Sequence, residues 1–472
     1  MWFDCVCPRR RCRVPRSIKR DRRGTAMSPM LQKKNIVAAV RKNVMGYVCK
    51  IIVSLQVATN IMKHRYSSFI ALLFGLLLTG IFSIAQAQVD DLRRVSDRVG
   101  LSTIYQQKPK ENVKPHAHSL STDTATFYRH RLYAPGDYSS ANWRIPALCA
   151  LPDGSLLAVN DKRKFNEGDL PQDIDIVARR SMDNGRTWSE PVTIVAGQGV
   201  KKGFGDPALV VTEKGEVICA FAGGNGYFQS TEEDPIRLFV TRSIDGGKTW
   251  SKPEDITFQI WGTKALNSAC QKYRASFFSS GNGLRLTRGA HKGRIMFAVP
   301  MLRKDEWVSD NFVVYSDDDG HSWQVSECAF SGGDEAKLVE LVDGRVLLST
   351  RQSGPRGYNI SEDGGAHWGT QGYWPEMTTN ACNGDIIRLS ATDRGGERNV
   401  LMHSIPNSMH RENVTIFFSY DEGKTWQDPL LLFNGPSVYS SLTVLPDGSV
   451  GAYIEQNPNG ACELWFINIP KK

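Results

Sequence analysis

Beyond its first 87 residues the chain is poor in three things: helix-length stretches, paired cysteines and excess positive charge. From Tyr128 onward, short apolar runs are interrupted every few residues by Gly, Asp or Asn. That is the punctuation of strands and turns, and it argues against a helical bundle. Six cysteines (Cys149, Cys219, Cys270, Cys328, Cys382 and Cys462) are scattered through this part with no Cys-x-x-Cys spacing, which argues against a zinc site. They are expected to be buried free thiols on strands; export would permit a disulfide without requiring one.

The positive charge belongs to the leader. The chain carries a net +9, yet residues 1–87 hold 16 Lys or Arg against 2 Asp or Glu, so the remainder stands at −5. No nucleic-acid partner is implied. An apolar run from Phe69 to Ile84 is short for a membrane span. It follows Met62-Lys63-His64-Arg65 and ends at Ala85-Gln86-Ala87, the order of basic, apolar and small residues that marks a secretory signal over 62–87. An exported protein, periplasmic or secreted, with no membrane span after cleavage is therefore expected. Residues 1–61, rich in arginine, then read as an over-extended, disordered N-terminus upstream of a start at Met62. Residues 88–126 are polar and irregular and read as a lead-in. Residues 127–472 are long enough for one large all-β domain.

What that domain has in abundance is one phrase, Ser-x-Asp-x-Gly-x-Thr-Trp, with variations. It begins at Ser181, Ser243, Ser316, Ser361 and Ser419 and ends at Trp188, Trp250, Trp323, Trp368 and Trp426. Each copy follows an apolar or β-branched run such as Val414-Thr415-Ile416-Phe417-Phe418, and its Asp and Gly supply hairpin-turn chemistry. A phrase recurring at such long intervals marks a repeat architecture. One carboxylate per box is too few for calcium, which takes six to eight oxygens; the five Asp residues are expected to hydrogen-bond their own turns.

Between the boxes lie strand-like runs joined by Asp-Gly turns, as in Pro152-Asp153-Gly154-Ser155, Val342-Asp343-Gly344-Arg345 and Pro446-Asp447-Gly448-Ser449. Five boxed units plus one unboxed unit predict a six-bladed β-propeller of four-stranded antiparallel blades with Asp-box turns. The last strand, Leu464–Ile467, is expected to lie near the first, Phe127–Leu132, closing the ring. A β-sandwich array is the alternative, but its turns would have no reason to repeat one aromatic-terminated phrase.

With Trp143-Arg144-Ile145-Pro146 ahead of the first blade, the chain from about Tyr128 to Ile469 resembles the exo-α-sialidase (neuraminidase) family of glycoside hydrolases. The resemblance implies hydrolysis of terminal α-linked sialic acids on glycoproteins, glycolipids or oligosaccharides, with no cofactor and no metal. A monomer is expected, and the lead-in is too short for a usual carbohydrate-binding domain. Sialic acid bears a carboxylate on its anomeric carbon, which a planar guanidinium binds through paired hydrogen bonds. The family's arginine triad matches Arg144, Arg351 and Arg411, the last by order and spacing. Glu455 matches the carboxylate that holds the first arginine.

The same anion would repel a carboxylate nucleophile, so a phenol activated by a base is the sensible alternative. By resemblance these are Tyr439 and Glu335, with Glu340 as the rival base. Asp169, in the loop from Asp161 to Pro171, matches the general acid/base; Asp161, Glu167 and Asp173 are its competitors. Arg163 matches a fourth arginine near the substrate, and Asp206 an acid on the N-acetylated side of the sugar. Transfer of the sugar to another acceptor would use the same residues. A boxed propeller that only binds glycans or proteins is the reading of a different class, since fold alone does not make an enzyme.

Overall fold

The computed structural model describes residues 128–457 and 460–471. The expected leader, signal and lead-in segments, and Phe127, lie outside the described residues. Within them the chain is almost wholly β, with one four-residue α-helix and three short 3-10 turns, as the lack of helix-length stretches predicts. Among the described residues no helix is long and apolar enough to cross a membrane.

Six sheets form the ring. Blade 1 is Asn142–Ala150, Leu156–Arg163, Ile174–Ser181 and Val192–Val195, in that order from the inside out. Blade 2 runs through Phe204–Val211, Val217–Gly224, Ile236–Ser243 and Glu254–Asp255. Blade 3 is built on Tyr273–Ser276, Ile295–Arg303, Ser309–Ser316 and Gln324–Val325. Blade 4 is Ala336–Glu340, Val346–Thr350, Ser353–Ser361 and Gly372–Asn380; blade 5 is Asp385–Ser390, Val400–Pro406, Val414–Ser419 and Gln427–Leu431. Blade 6 joins both ends of the domain: Ser437–Val444, Val450–Gln456 and Glu463–Ile469 are completed by Tyr128–Tyr133. The expected closure is thus present, with His130 opposite Phe466.

Two blades exceed the four strands expected. Gly281–Asn282 adds to blade 2 in parallel with Ala208 and Leu209. Blade 3 has its inner position shared by Tyr273–Ser276 and Leu284–Arg285 and its outer one by Gln324–Val325 and Phe330–Ser331. The segment between the inner pieces swings to the axis, where Asn282 Nδ2 donates to Asp385 Oδ2 at 3.1 Å and to the Leu442 carbonyl at 2.7 Å, in blades 5 and 6. It leaves one blade to fill the hole shared by all six.

Period-2 alternation makes the ring. Val217, Cys219 and Phe221 pack with Ala147, Leu157 and Ile176 of blade 1, while the intervening Ile218, Ala220 and Ala222 pack with Ile295, Phe297 and Val299 of blade 3. Neighbouring residues of one strand face opposite sides, so each sheet is apolar on both faces. Further clusters fill the spaces between blades 3 and 4, 4 and 5, 5 and 6, and 6 and 1. Of the six cysteines, five are buried, and only some of these lie on strands; Cys328 is exposed. That departs from the expectation of buried strand thiols, because Cys328 falls in the connection after blade 3's box rather than on a strand facing a neighbour.

Each box joins the third and fourth strands of its blade. In the first, Asp183 accepts from the Thr187 amide at 2.8 Å and its hydroxyl at 2.6 Å, while Ser181 Oγ donates to Asp183 and accepts from the Gly185 amide at 2.8 Å. The others repeat this scheme, with Ser322 and His367 in place of Thr in the third and fourth boxes. The box glycine has a second task. Gly185 has φ +86°, and a Cβ there would stand 2.1 Å from the Phe466 ring of the preceding blade. Gly247, Gly320, Gly365 and Gly423 abut Leu157, Ile218, Met296 and Leu347 in the same way. The turn is therefore also a point where adjacent blades touch.

Two outcomes follow. Gly185→Ala should cost about 2 kcal/mol more in chemical denaturation than Gly344→Ala, whose φ is +89° but whose nearest neighbour is 3.9 Å away; equal losses would assign the requirement to backbone conformation alone. The second concerns acid. Asp245 is held below the ordinary carboxylate range by the Thr249 hydroxyl and amide. Asp318 and Asp363 are lowered to about 2, their hydrogen bonds within the turn outweighing partial burial. A carboxylate held low by folding gives its full contribution above about pH 4 and loses it as the pH falls toward the folded value. Stability followed by tryptophan fluorescence should therefore decline between about pH 4 and pH 2; equal stability at both would refute this.

Candidate active site

A four-strand meander sends its strands alternately up and down, so the box turns lie at one end of the ring. The starts of the inner strands and the ends of the second strands lie at the other. Arg144 and Tyr439 are near the starts of their inner strands, and Glu335 immediately precedes one; Arg163 and Glu455 are at or beside the ends of second strands, and Arg351 follows one. Asp169 and Arg411 lie in loops between second and third strands. The expected site residues thus gather at the end opposite the boxes.

Glu455 is fully buried and binds Arg144 by both oxygens, to Nε at 3.2 Å and Nη2 at 3.1 Å. It also accepts from the amides of Ile145 at 2.5 Å and Tyr439 at 3.1 Å. Ile145 has φ +63°, a left-handed conformation that a β-branched residue adopts only when its surroundings impose it. Burial opposes the Arg144 charge, but Glu455 first, together with neighbouring groups that include Tyr439 and Asp169, outweighs it and holds the Arg144 pKa well above the ordinary value. The Arg144 guanidinium lies 5.2 Å from the Tyr439 ring centre.

Tyr439 is 7% exposed. Its hydroxyl donates to Glu335 Oε2 in a short hydrogen bond and accepts from Arg351 Nη1 at 2.9 Å. Arg351 Nη1 also meets Glu335 Oε2 at 2.6 Å, and its Nε lies 3.2 Å from Asp334. The other Glu335 oxygen accepts from Asn383 Nδ2 at 3.0 Å and Ser280 Oγ at 3.4 Å. Burial, and then the Glu335 charge, push the Tyr439 phenol well above its usual pKa despite Arg351 and Arg144. At rest the phenol keeps its proton, already directed at a base. Glu340 is at the far end of the same strand, taken up by Thr287 and Arg288, and has no part in this group.

On blade 1, Asp169 meets Arg163 Nη2 at 2.6 Å and Arg144 Nη1 at 4.0 Å, with 72% of its side chain exposed. Burial would raise its pKa, but Arg163 and then Arg144 hold it below the ordinary range. Arg163 is fixed from beneath by Asp161, at 3.3 Å from Nε and 3.1 Å from Nη2, and by the Glu167 carbonyl at 2.5 Å. Asp161 also accepts from the Asp206 amide at 3.1 Å, where the backbone is again left-handed, at φ +58°. Burial, then the Asp161 and Asp169 charges, push Asp206 well above the ordinary carboxylate range. Of the rivals to Asp169, Asp173 is paired with Lys164, Glu167 contributes its carbonyl, and Asp161 is buried as a support.

Arg411 is half-buried and donates to the Ala381 carbonyl at 3.1 Å; the next residue, Cys382, packs with Tyr439 and Ile145. It makes no ion pair among the described residues. The supports Asp161, Asn383 and Asp334 were not expected as such. For Asp161 a signal existed: it is two residues from Arg163 on one strand, hence on the same face. Among the described residues no group of His, Cys, Asp and Glu is arranged to hold a metal ion. A cavity of about 630 Å³, lined by Arg285, Arg288, Glu340 and Arg388 among others, lies at the box end and contains none of the site residues.

Comparison with known proteins bears on the family and the fold. Residues 154–452 match the family model of the BNR repeat-like domain. A sialidase of Micromonospora viridifaciens is 35% identical over 66% of this chain and 50% of its own length. A sialidase of Bacteroides fragilis is 28% identical over 68% of this chain and 61% of its own. The chain therefore spans about half to three-fifths of these relatives. Among solved structures, a Hadza microbial sialidase superposes with a TM-score of 0.64 at 28% identity, covering 72% of this chain and 68% of that one. Six blades, five boxes and a family match across most of the propeller lead to one assignment: the chain belongs to the BNR-repeat sialidase family.

Proposed function

We propose that this protein is an exo-α-sialidase that releases terminal α-linked sialic acids from glycoconjugates with retention of configuration. The observation that carries the reading is the Tyr439 hydroxyl, held between Glu335 and Arg351 and beside Arg144. In this mechanism Arg144, Arg351 and Arg411 bind the substrate carboxylate. Tyr439 Oη attacks the anomeric carbon as its proton passes to Glu335 Oε2. The bond to the leaving oxygen breaks, and that oxygen takes a proton from Asp169. A neutral phenol approaches the anionic sugar without the repulsion a carboxylate would meet, and the arginines stabilise the oxocarbenium-like transition state. The Asp169 carboxylate then removes a proton from water, which displaces Tyr439; the phenol recovers its proton from Glu335. The exposure of Asp169 gives water direct access, which supports hydrolysis over transfer. The same reading takes the enzyme as exported, with a signal over 62–87.

Tyr439→Phe should lose about 10³-fold in turnover of a fluorogenic α-sialoside by protein beginning at Gln88; full activity would sink the nucleophile assignment. A wild type that binds sialylated glycans without cleaving any would favour a binding module. For Asp169→Ala, the loss should be about 10²-fold or more on sialosides with a sugar leaving group and much smaller on an aryl sialoside, whose leaving group needs no proton. In the wild type the charged form of Asp169 is favoured, so the protonated acid becomes rarer as pH rises. Then kcat/KM for the sugar substrate should already be falling at about pH 4, the ordinary carboxylate value, and keep falling as pH rises, and the variant should lose that dependence. An Asp169→Ala profile identical to wild type would exclude Asp169 as the acid.

A further inference from the structure

The cavity of about 630 Å³ at the box end falls within the range of ligand pockets, about 300–1,000 Å³. It occupies the mouth of the axial hole. The last residues of the inner strands of blades 1, 2, 4, 5 and 6 wall it, and the segment 282–288 stands in for blade 3. Leu284 and Val444 make half-buried apolar parts of that wall. The lining also brings five cations, Arg285, Arg288, Arg388, Arg394 and Lys471, against one carboxylate, Glu340. Residues 88–472 carry a net −5, so positive charge is gathered here against the average of the chain.

Two of the arginines are committed to the wall. Arg288 gives Nε and Nη2 to Asp393 at 2.8 and 2.9 Å and Nη1 to Glu340 at 2.8 Å, while Arg388 holds Glu422 through Nη1 and Nη2. Glu340 is itself used up. One of its oxygens accepts from the amides of Thr287 at 2.9 Å and Arg288 at 2.8 Å, the other from the Arg288 guanidinium and the Thr287 hydroxyl. The remaining three cations are unanswered: among the described residues the Arg285 and Lys471 side chains have no acceptor, and Arg394 reaches only the Thr287 carbonyl, at 3.5 Å. They approach from three directions. Arg285 comes from the segment in blade 3's place, Arg394 from the connection between the first two strands of blade 5, and Lys471 from the chain beyond Ile469 of blade 6.

A concave surface lined by charge of one sign focuses its field and concentrates the opposite ion. Guanidinium groups meet carboxylate or phosphate oxygens through paired, charge-assisted hydrogen bonds. A monovalent ion would answer one of the three cations and leave two facing each other. We propose that this cavity is a binding site, separate from the Tyr439 group, for a compact anion bearing two or three negative charges on carboxylate or phosphate oxygens.

The test is calorimetric titration of the purified protein at about 0.15 M salt, where exposed charges are screened beyond about 8 Å. Citrate and pyrophosphate serve as the carboxylate and phosphate probes, and acetate as the monovalent control. At least one of the two multivalent ions should bind one to one and acetate should not; which of them binds identifies the source of the charge. Arg285→Gln and Arg394→Gln should each weaken that binding about tenfold, the loss of a charged hydrogen bond. Arg285→Lys should recover part of it, since it restores the charge without the planar fork. Thermal unfolding of the ligand-free variants, unchanged from wild type, shows that they are folded, and sialoside turnover should be unaffected in both glutamine variants. Binding that survives both substitutions, or that a sialoside displaces, would lie at the arginines around Tyr439 and overturn the proposal. So would a failure of both multivalent ions to bind more tightly than acetate.

Discussion

Glu455 has no exposed surface and spends its two oxygens on four partners: two nitrogens of Arg144 and the amides of Ile145 and Tyr439. Arg144 and Ile145 belong to blade 1, Tyr439 and Glu455 to blade 6. The junction that completes the ring is therefore also the junction that places the first arginine beside the phenol. Removing the Arg144 guanidinium would leave this buried carboxylate uncompensated, at a cost of about 3–5 kcal/mol. The left-handed Ile145 depends on the same group, because the strained amide is one of those Glu455 accepts from. Ring closure, backbone strain and the position of the arginine rest on one side chain.

The two ends of the propeller divide their tasks. At the box end, Asp and Ser satisfy the turn while glycine lets one blade rest on the next. At the other end, carboxylates and guanidiniums are crowded together, and many are buried. Asp161, Arg163, Glu335 and Glu455 are each at most 2% exposed. Such a cluster is tolerated because each group faces a partner of opposite charge or an amide. The repetitive cores between blades provide the rigidity it needs, and the connections between second and third strands can vary without disturbing them.

Features settled within a few residues were legible in the sequence. The box turn is one, since Asp183 and Thr187 are four residues apart and the glycine betrays a positive φ. The count of blades followed from it, but the extra strands of blades 2 and 3 did not, because Gly281–Asn282 pairs with residues more than seventy positions earlier. In the site, Arg144 stood out through its tetrapeptide, whereas the choice between Glu335 and Glu340 needed the strand's direction. Five residues of extended chain span about 16 Å, enough to put the two acids at opposite ends of the ring. Asn383, which holds Glu335 across 48 residues, has no local signature; its part follows only from the closed fold.

Blade 6 is stitched from the beginning and the end of the domain, with Tyr128–Tyr133 lying against Glu463–Ile469. The phenol and the Glu455 anchor are both on this blade, whose strands are the last to be synthesised apart from that first one. During chain growth, five blades precede Tyr439, the proposed nucleophile, in the sequence. The pairing of Tyr439 with Glu335 is thus among the last contacts assembled, and a partly grown ring would contain Arg144, Asp169 and Glu335 without it. On the proposed mechanism, activity would report on the integrity of the whole circle, since opening the junction of blades 1 and 6 separates Arg144 from Tyr439.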